Sequence, residues 1–134
     1  QLLWGYLLNV NQNKTRNCFL SSNKSLRLSH VKTKKMNSNF NSIIKSETPV
    51  LIDFHANWCG PCKMLAPILK EVKSELKDNI KIIKIDVDKN QNLAAQYQVR
   101  GVPTMMLFKS GQQMWRQSGV LQKEDIINVI NQHS

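Results

Sequence analysis

The chain has 134 residues, 41% of them apolar and 21% charged, which is enough for one domain with a buried core and excludes a chain that is disordered throughout. Its 19 Lys and Arg residues outnumber its nine Asp and Glu residues, so the formal net charge is +10. Nucleic acid or an anionic membrane would be the expected partner only if that charge lay on the folded part of the chain.

The excess positive charge is concentrated in the first third of the sequence. Residues 1–46 carry eight basic residues and no acidic one, whereas residues 47–134 carry 11 basic and nine acidic residues. We therefore divide the chain into a basic leader, residues 1–35, and a nearly neutral domain, residues 36–134. We expect no nucleic acid and no membrane as partners of this domain, because binding of nucleic acid would depend on the leader alone.

The leader is rich in Asn and Ser and has no regular apolar pattern beyond residue 10, so we expect it to be disordered. Its apolar start, residues 2–10, is far shorter than the ~20 residues of a membrane-spanning helix. Its composition suits an organelle transit peptide. Two alternatives remain open. The leader is either upstream sequence that is not translated, since the chain starts at Gln1 and Met36 precedes the first ordered pattern, or a genuine basic tail.

The domain begins with a pattern of helix, strand and helix. Phe40, Ile43 and Ile44 have helical spacing, and the stretch up to Pro49 ends that helix. The apolar run at residues 50–54 predicts a strand that is covered on both faces, although it contains Asp53. The apolar residues between 65 and 76 recur at i, i+3, i+4 and i+7, which predicts a long amphipathic helix.

The second half of the domain predicts a strand, a helix, a hairpin and a last helix. Residues 80–87 are rich in Ile and Val and predict a second buried strand, and residues 92–97 predict a short helix. Residues 104–108 and 113–117 flank a Ser-Gly turn and should pair as an antiparallel hairpin. A last helix around Ile126 and Ile130 has acidic residues in its first turn, where the helix dipole favours them. This order predicts an α/β fold, a mixed sheet with helices on both faces.

The motif that indicates a chemical function is Trp-Cys-Gly-Pro-Cys-Lys at residues 58–63. It lies between the apolar strand and the long helix, so Cys59 is expected at the helix N-terminus, where free N–H groups stabilise a thiolate. Cys62 lies three residues further on and is expected to be the more covered sulfur, suited to a resolving role. A zinc site lacks a second pair of ligands with suitable spacing, and haem attachment would need a histidine in place of Lys63, so we expect no metal.

A resemblance to a known family extends over residues 37–133 and strongly supports a redox role for this motif. Together with the motif, the segments that resemble the thioredoxin family in order and spacing are Val-Leu-Ile-Asp-Phe at 50–54, Ala-Pro at 66–67, Lys-Ile-Asp-Val-Asp at 84–88, Val-Arg-Gly-Val-Pro-Thr at 99–104 and Phe-Lys-Ser-Gly at 108–111. The resemblance implies the thioredoxin fold.

The resemblance also implies roles for individual residues. Cys59 is the nucleophile, Cys62 the resolving cysteine and Asp53 a buried proton relay, with Lys84 as its neighbour and modulator. Independently, an Asp in an apolar strand is expected to have a raised pKa, as a base working near neutrality needs.

Substrate contacts follow from the same resemblance. Pro103 matches a cis-proline that faces the dithiol, and the backbone at Val102 would pair with an extended substrate segment. The family's apolar docking rim matches Trp58, Gly60, Pro61, Val102, Gly119 and Val120. For Gly119 and Val120 an ordinary turn before the last helix is the alternative.

The sequence departs from the family pattern at two places. His55 stands where the family usually has an aromatic residue, and it adds a group that changes charge near neutral pH. It is interpreted as a packed histidine or, alternatively, as a group that tunes the thiols. The N-terminal strand that many family members place at the sheet edge is not evident, because residues 36–42 are too polar.

These observations predict a protein-disulfide reductase that acts in cell redox homeostasis by dithiol–disulfide exchange. The redox-active disulfide Cys59–Cys62 would serve in place of a bound cofactor. The expected partners are proteins with disulfides and a thioredoxin reductase that restores the dithiol. We expect a monomer in the cytoplasm, or in a mitochondrion or plastid if the leader is a transit peptide. The alternatives are a scaffold subunit with the same fold and a disulfide oxidant in an oxidising compartment.

Overall fold

The computed structural model describes residues 38–134. The predicted leader, Cys18 and the start of the domain at residues 36–37 lie outside the described residues. Within residues 38–134 no helix is long and apolar enough to cross a membrane. The elements in chain order are α1 (residues 38–44), β1 (Val50–His55), α2 (Gly60–Leu76), a 3-10 turn (Lys77–Asn79), β2 (Lys81–Asp86), α3 (Gln91–Gln96), β3 (Thr104–Lys109), β4 (Gln112–Ser118) and α4 (Lys123–Gln132).

The four described strands form one mixed sheet in the order β2-β1-β3-β4. Strand β1 pairs with β2 in parallel and with β3 antiparallel, and β3 pairs with β4 as the predicted hairpin. The first five residues of β1 are buried, as the apolar run predicted. The prediction that residues 80–87 form a buried strand was wrong in its burial, because β2 lies at an edge of the described sheet and only Ile85 of that strand is buried.

Helices cover both faces of the sheet, as predicted, because alternate residues of each central strand point to opposite faces. On the first face, Ile52 and Phe54 of β1 pack with Phe40 of α1 and Leu93 of α3. On the other face, Leu51 packs in a second cluster with residues of α2 and α4, namely Leu65, Leu69, Val72, Ile126 and Ile130. Asp53 lies between Ile52 and Phe54 along β1, and the alternation of side chains places it on the face that α2 covers.

Three aromatic rings fix α1 to the sheet. Phe40 lies 5.2 Å from the ring of Tyr97 and 6.0 Å from that of Phe108, and Tyr97 and Phe108 are 5.6 Å apart. Beside them, the Arg116 guanidinium donates hydrogen bonds of 2.7 and 2.8 Å to the carbonyl oxygens of Tyr97 and Gln98, which follow α3. The end of α3 is thereby tied to strand β4.

We expect Phe40→Ala to lower the free energy of unfolding by about 3–4 kcal/mol, because it removes a buried ring from this aromatic contact. Urea denaturation measures the change. The control is Asn41→Ala on the exposed side of the same helix, which should stay within about 0.5 kcal/mol of the parent. A Phe40→Ala effect as small as that of the control would contradict the packing described for α1.

Candidate active site

The two cysteines lie at the N-terminus of α2, four residues after the end of β1. Cys59 is the N-cap of α2, with φ −85° and ψ 112°, and the helix starts at Gly60 with a proline in its first turn. Proline is accommodated there because its missing N–H would have no partner within the helix. The sequence between the cysteines therefore sets both the start of the helix and the spacing of the sulfurs.

Cys59 and Cys62 form a disulfide, and their Cα atoms are 5.3 Å apart. The backbone N–H of Cys62 donates to Cys59 Sγ at 3.2 Å. An N–H group at a helix N-terminus that points at a sulfur stabilises that sulfur as a thiolate once the disulfide is reduced. The geometry therefore favours Cys59 over Cys62 as the ionised thiol.

Three short apolar side chains surround the disulfide, contributed by Ala56, Val87 and Val102. Cys59 Sγ lies 3.6 Å from the carbonyl oxygen of Val102. The expectation that Cys62 is the more covered cysteine is not met in this oxidised form, since Cys59 is 3% and Cys62 4% exposed. Both residues are covered because their sulfurs are bonded to each other inside the same apolar cluster.

The loop that carries Val102 is held from both sides. The peptide bond between Val102 and Pro103 is cis, and Pro103 is buried. The carbonyl oxygen of Pro103 accepts a 2.9 Å hydrogen bond from the N–H of Gly119, whose φ of 94° favours glycine. The buried Thr104 hydroxyl donates to the Gly101 carbonyl at 2.7 Å. These contacts fix the position of Val102 beside the disulfide.

Asp53 is fully buried, and neither of its carboxylate oxygens has a hydrogen-bond partner among the described residues. Burial without a partner disfavours the ionised form, so the pKa of Asp53 is raised above the ordinary value of 3.8. The charges of Lys84 and His55 act in the opposite direction and partly offset the rise in this pKa. Lys84 pairs with Asp53 in the register of β1 and β2, so both residues share one face of the sheet.

The predicted docking rim is only partly a single surface. Trp58, Gly60 and Pro61 are exposed around the disulfide, and Val102 is half-buried. Gly119 is brought next to the cis-proline by its hydrogen bond, whereas Val120 packs against the cluster under α2 and α4.

Sequence reasoning missed two residues, Asp88, which binds Trp58 of this rim, and the exposed Met64. Trp58 is 71% exposed, yet its indole N–H donates to Asp88 Oδ2 at 2.9 Å. Asp86 Oδ1 in turn accepts the backbone N–H of Asp88 at 2.9 Å. The second missed residue is Met64, which is 64% exposed in the first turns of α2. Asp88 follows β2 as the cysteine motif follows β1, and this shared sheet edge was the signal that could have found it.

Comparison with known proteins identifies the family. The sequence model of the thioredoxin family matches residues 31–132. The chain belongs to the thioredoxin family. A thioredoxin of Rickettsia felis is 46% identical over 89 residues, which are 66% of this chain and 85% of that protein. A thioredoxin of Haemophilus influenzae is 48% identical over 91 residues, 68% of this chain and 85% of that one.

Solved thioredoxin structures share the fold. A mutant thioredoxin from Halobacterium salinarum NRC-1 is 37% identical, with a TM-score of 0.65, over 71% of this chain and 82% of that one. The oxidised mitochondrial thioredoxin 3 of Saccharomyces cerevisiae is 33% identical, with a TM-score of 0.65, over 71% of this chain and 88% of that one.

Membership of the thioredoxin family explains the site. Cys59 and Cys62 are its redox-active disulfide, and the protein is a thiol–disulfide oxidoreductase that reduces protein disulfides in redox homeostasis. The two cysteine side chains carry the electrons themselves. The predictions of the fold, of the family and of disulfide reduction are thereby confirmed.

The raised pKa of Asp53 makes stability depend on pH. The folded protein holds the Asp53 proton more tightly than the unfolded chain, so this residue stabilises the fold below the ordinary pKa near 4, and that stabilisation is lost as pH rises through the raised pKa. We expect Asp53→Asn to gain free energy of unfolding relative to the parent as pH rises from 4 to 8.

Urea denaturation across this pH range measures the gain, and Asp78→Asn in the exposed 3-10 turn is the control. A difference between Asp53→Asn and the parent that does not change with pH would contradict the raised pKa.

Proposed function

We propose that Cys59 attacks the substrate disulfide and that Cys62 resolves the mixed disulfide, with Asp53 as the proton relay. The observation that carries this order is the hydrogen bond from the Cys62 N–H to Cys59 Sγ at the N-terminus of α2. It favours the thiolate at Cys59, and the thiolate is the nucleophile in disulfide exchange. Cys62 lies in the first turn of the helix, bonded to Cys59 in the oxidised form and so within reach of it.

Each step of the reaction balances. The Cys59 thiolate attacks one substrate sulfur, the substrate S–S bond breaks, and the other substrate sulfur leaves as a thiolate that takes a proton from solvent. Cys62 then transfers its proton to the Asp53 carboxylate and attacks Cys59 Sγ. The mixed disulfide breaks, the second substrate thiolate leaves, and Cys59–Cys62 forms. Two electrons have moved from the dithiol to the substrate.

Burial suits Asp53 to this relay. A carboxyl with an ordinary pKa would be a poor acceptor for a thiol proton near neutral pH, whereas the raised pKa of Asp53 brings the two groups closer in proton affinity. Lys84, its register partner on β2, is the modulator, because its positive charge favours the carboxylate and limits the rise in this pKa. Asp53 lies on the face of the sheet that is covered by α2, the helix that carries Cys62.

The substrate segment is proposed to lie along the loop before β3. Val102 offers its backbone to an extended chain, as in strand addition, and Pro103 has no N–H that would compete for the sulfur. The exposed Trp58, Gly60 and Pro61 form the apolar part of the docking rim. Gly119 and Val120 extend that rim on the far side of Pro103.

The proposed partners are proteins with accessible disulfides and a thioredoxin reductase that restores the dithiol of this monomeric protein. Gly-Pro between the cysteines supports the reducing direction and hence the cytoplasm. A mitochondrion or plastid is the alternative, supported by the acid-free leader. Chloroplastic thioredoxin z, 31% identical over 72% of this chain and 87% of that one with a TM-score of 0.65, and the yeast mitochondrial protein belong to such compartments.

Cys62→Ser should accumulate the mixed disulfide with a protein substrate such as insulin, because nothing remains to resolve the bond at Cys59. Non-reducing electrophoresis and intact mass spectrometry detect the adduct. Cys59→Ser is the matched control and should form at most a trace of adduct. If Cys59→Ser traps the substrate and Cys62→Ser does not, the proposed order of attack is reversed.

The compartment has its own test, the N-terminus of the protein isolated from its cells. Intact mass spectrometry should find a chain that starts at Met36, which would leave the domain of residues 36–134 without a leader. A cleaved chain in an organelle fraction would contradict the cytoplasmic proposal.

A further inference from the structure

His55 is the last residue of β1 and lies on the same face of the sheet as Asp53, because side chains alternate along a strand. That face is the one covered by α2. The ring is half-buried, and the next residue, Ala56, already belongs to the apolar cluster around the disulfide. The backbone oxygen of His55 accepts a 2.9 Å hydrogen bond from Val87, which lines the same cluster. His55 therefore shares a strand face with the buried carboxyl and immediately precedes a residue of the cluster around the disulfide.

The charged groups that face this pair come from β2 and α2. Lys84 pairs with Asp53, and Asp86 pairs with His55, in the parallel register of the two strands. On the other side, β3 places the uncharged Met105 opposite Asp53. Helix α2 contributes the two cysteines. Among ionisable side chains, an imidazole is the group that ordinarily gains its charge just below pH 7.

We propose that His55 is a positioning residue for the resolving step, and that its protonated ring holds the Asp53 carboxyl in the ionised form that accepts the Cys62 proton. This inference rests on the proposed role of Asp53 as the relay. The charge on His55 keeps Asp53 able to accept a proton at a lower pH. As pH falls, burial alone would protonate Asp53 and stop the relay, but the new charge on His55 opposes that protonation.

The electrostatics agree in sign. The positive charge of His55 lowers the pKa of Asp53 against the larger effect of burial, which raises it. The charge of an imidazole changes near neutral pH, so His55 supplies a part of the effect on the pKa of Asp53 that changes with pH. The fall in the rate of the resolving step at low pH thus depends on the charges of both Asp53 and His55.

The resolving step can be isolated by stopped-flow mixing of the reduced full-length protein with the chromogenic disulfide DTNB. Attack by Cys59 releases a first coloured thiolate and attack by Cys62 a second, so the second phase reports the resolving step. We expect His55→Gln, which is neutral at every pH, to move the acid midpoint of the second phase upward by about half a pH unit or more. Its second-phase rate at pH 5.5 should fall roughly threefold, since half a unit is about a threefold change.

His55→Lys separates charge from packing. Its permanent positive charge should keep the acid midpoint at or below that of the parent, while all three proteins agree within about twofold at pH 8. His133→Gln, at the far end of α4, is the control and should follow the parent profile. His55→Asn replaces His55→Gln if that variant does not fold. The inference is overturned if the Gln profile coincides with the parent, or if Gln and Lys shift it equally in one direction.

An Asp53→Asn arm distinguishes failure of this inference from failure of the proposed relay. A second phase that is slow at pH 7 in Asp53→Asn but unaffected by His55→Gln would refute the role of His55 and leave the relay intact. A second phase of parental rate in Asp53→Asn would refute the relay, and the role of His55 with it.

Discussion

The burial of one carboxyl group in the central strand is the constraint on which the rest of the structure depends. Asp53 interrupts a central strand whose first five residues are buried, and its oxygens have no hydrogen-bond partner among residues 38–134. Such a group destabilises a fold when it is ionised, and the apolar clusters on both faces of the sheet must offset that cost. The same burial raises the pKa of the carboxyl, which suits it to the proposed role of proton relay. Stability and chemistry are therefore coupled at one residue.

Around this carboxyl, three separate segments build the walls of the dithiol. The end of β1 leads into Cys59, the turn after β2 supplies Val87 and the partner of Trp58, and the cis-proline loop supplies Val102. Each segment is held by hydrogen bonds away from the sulfurs, such as that from Gly119 to the Pro103 carbonyl.

Much of this fold was predictable because its signals are local. Helical spacing, the apolar run of β1 and the Ser-Gly turn each depend on a few neighbouring residues, and all three predictions were correct. Asp53 was recognisable because a carboxyl group is unexpected in an otherwise apolar strand. The edge position of β2 was not predictable from its Ile and Val content, since that composition suits half-covered strands as well. The pairing of Trp58 with Asp88 joins residues 30 positions apart, and no local pattern encodes it.

Burial raises the pKa of the Asp53 carboxyl above that of an ordinary aspartate, and the proposed proton relay depends on this rise. Carboxyl ¹³C NMR of the reduced protein, with Asp53 assigned by comparison with Asp53→Asn, measures this directly as a function of pH. We expect the Asp53 resonance to titrate above the ordinary value of 3.8. A midpoint near 4 would contradict the raised pKa, and a carboxyl with such an ordinary pKa would be a poor acceptor for the Cys62 proton in the proposed relay.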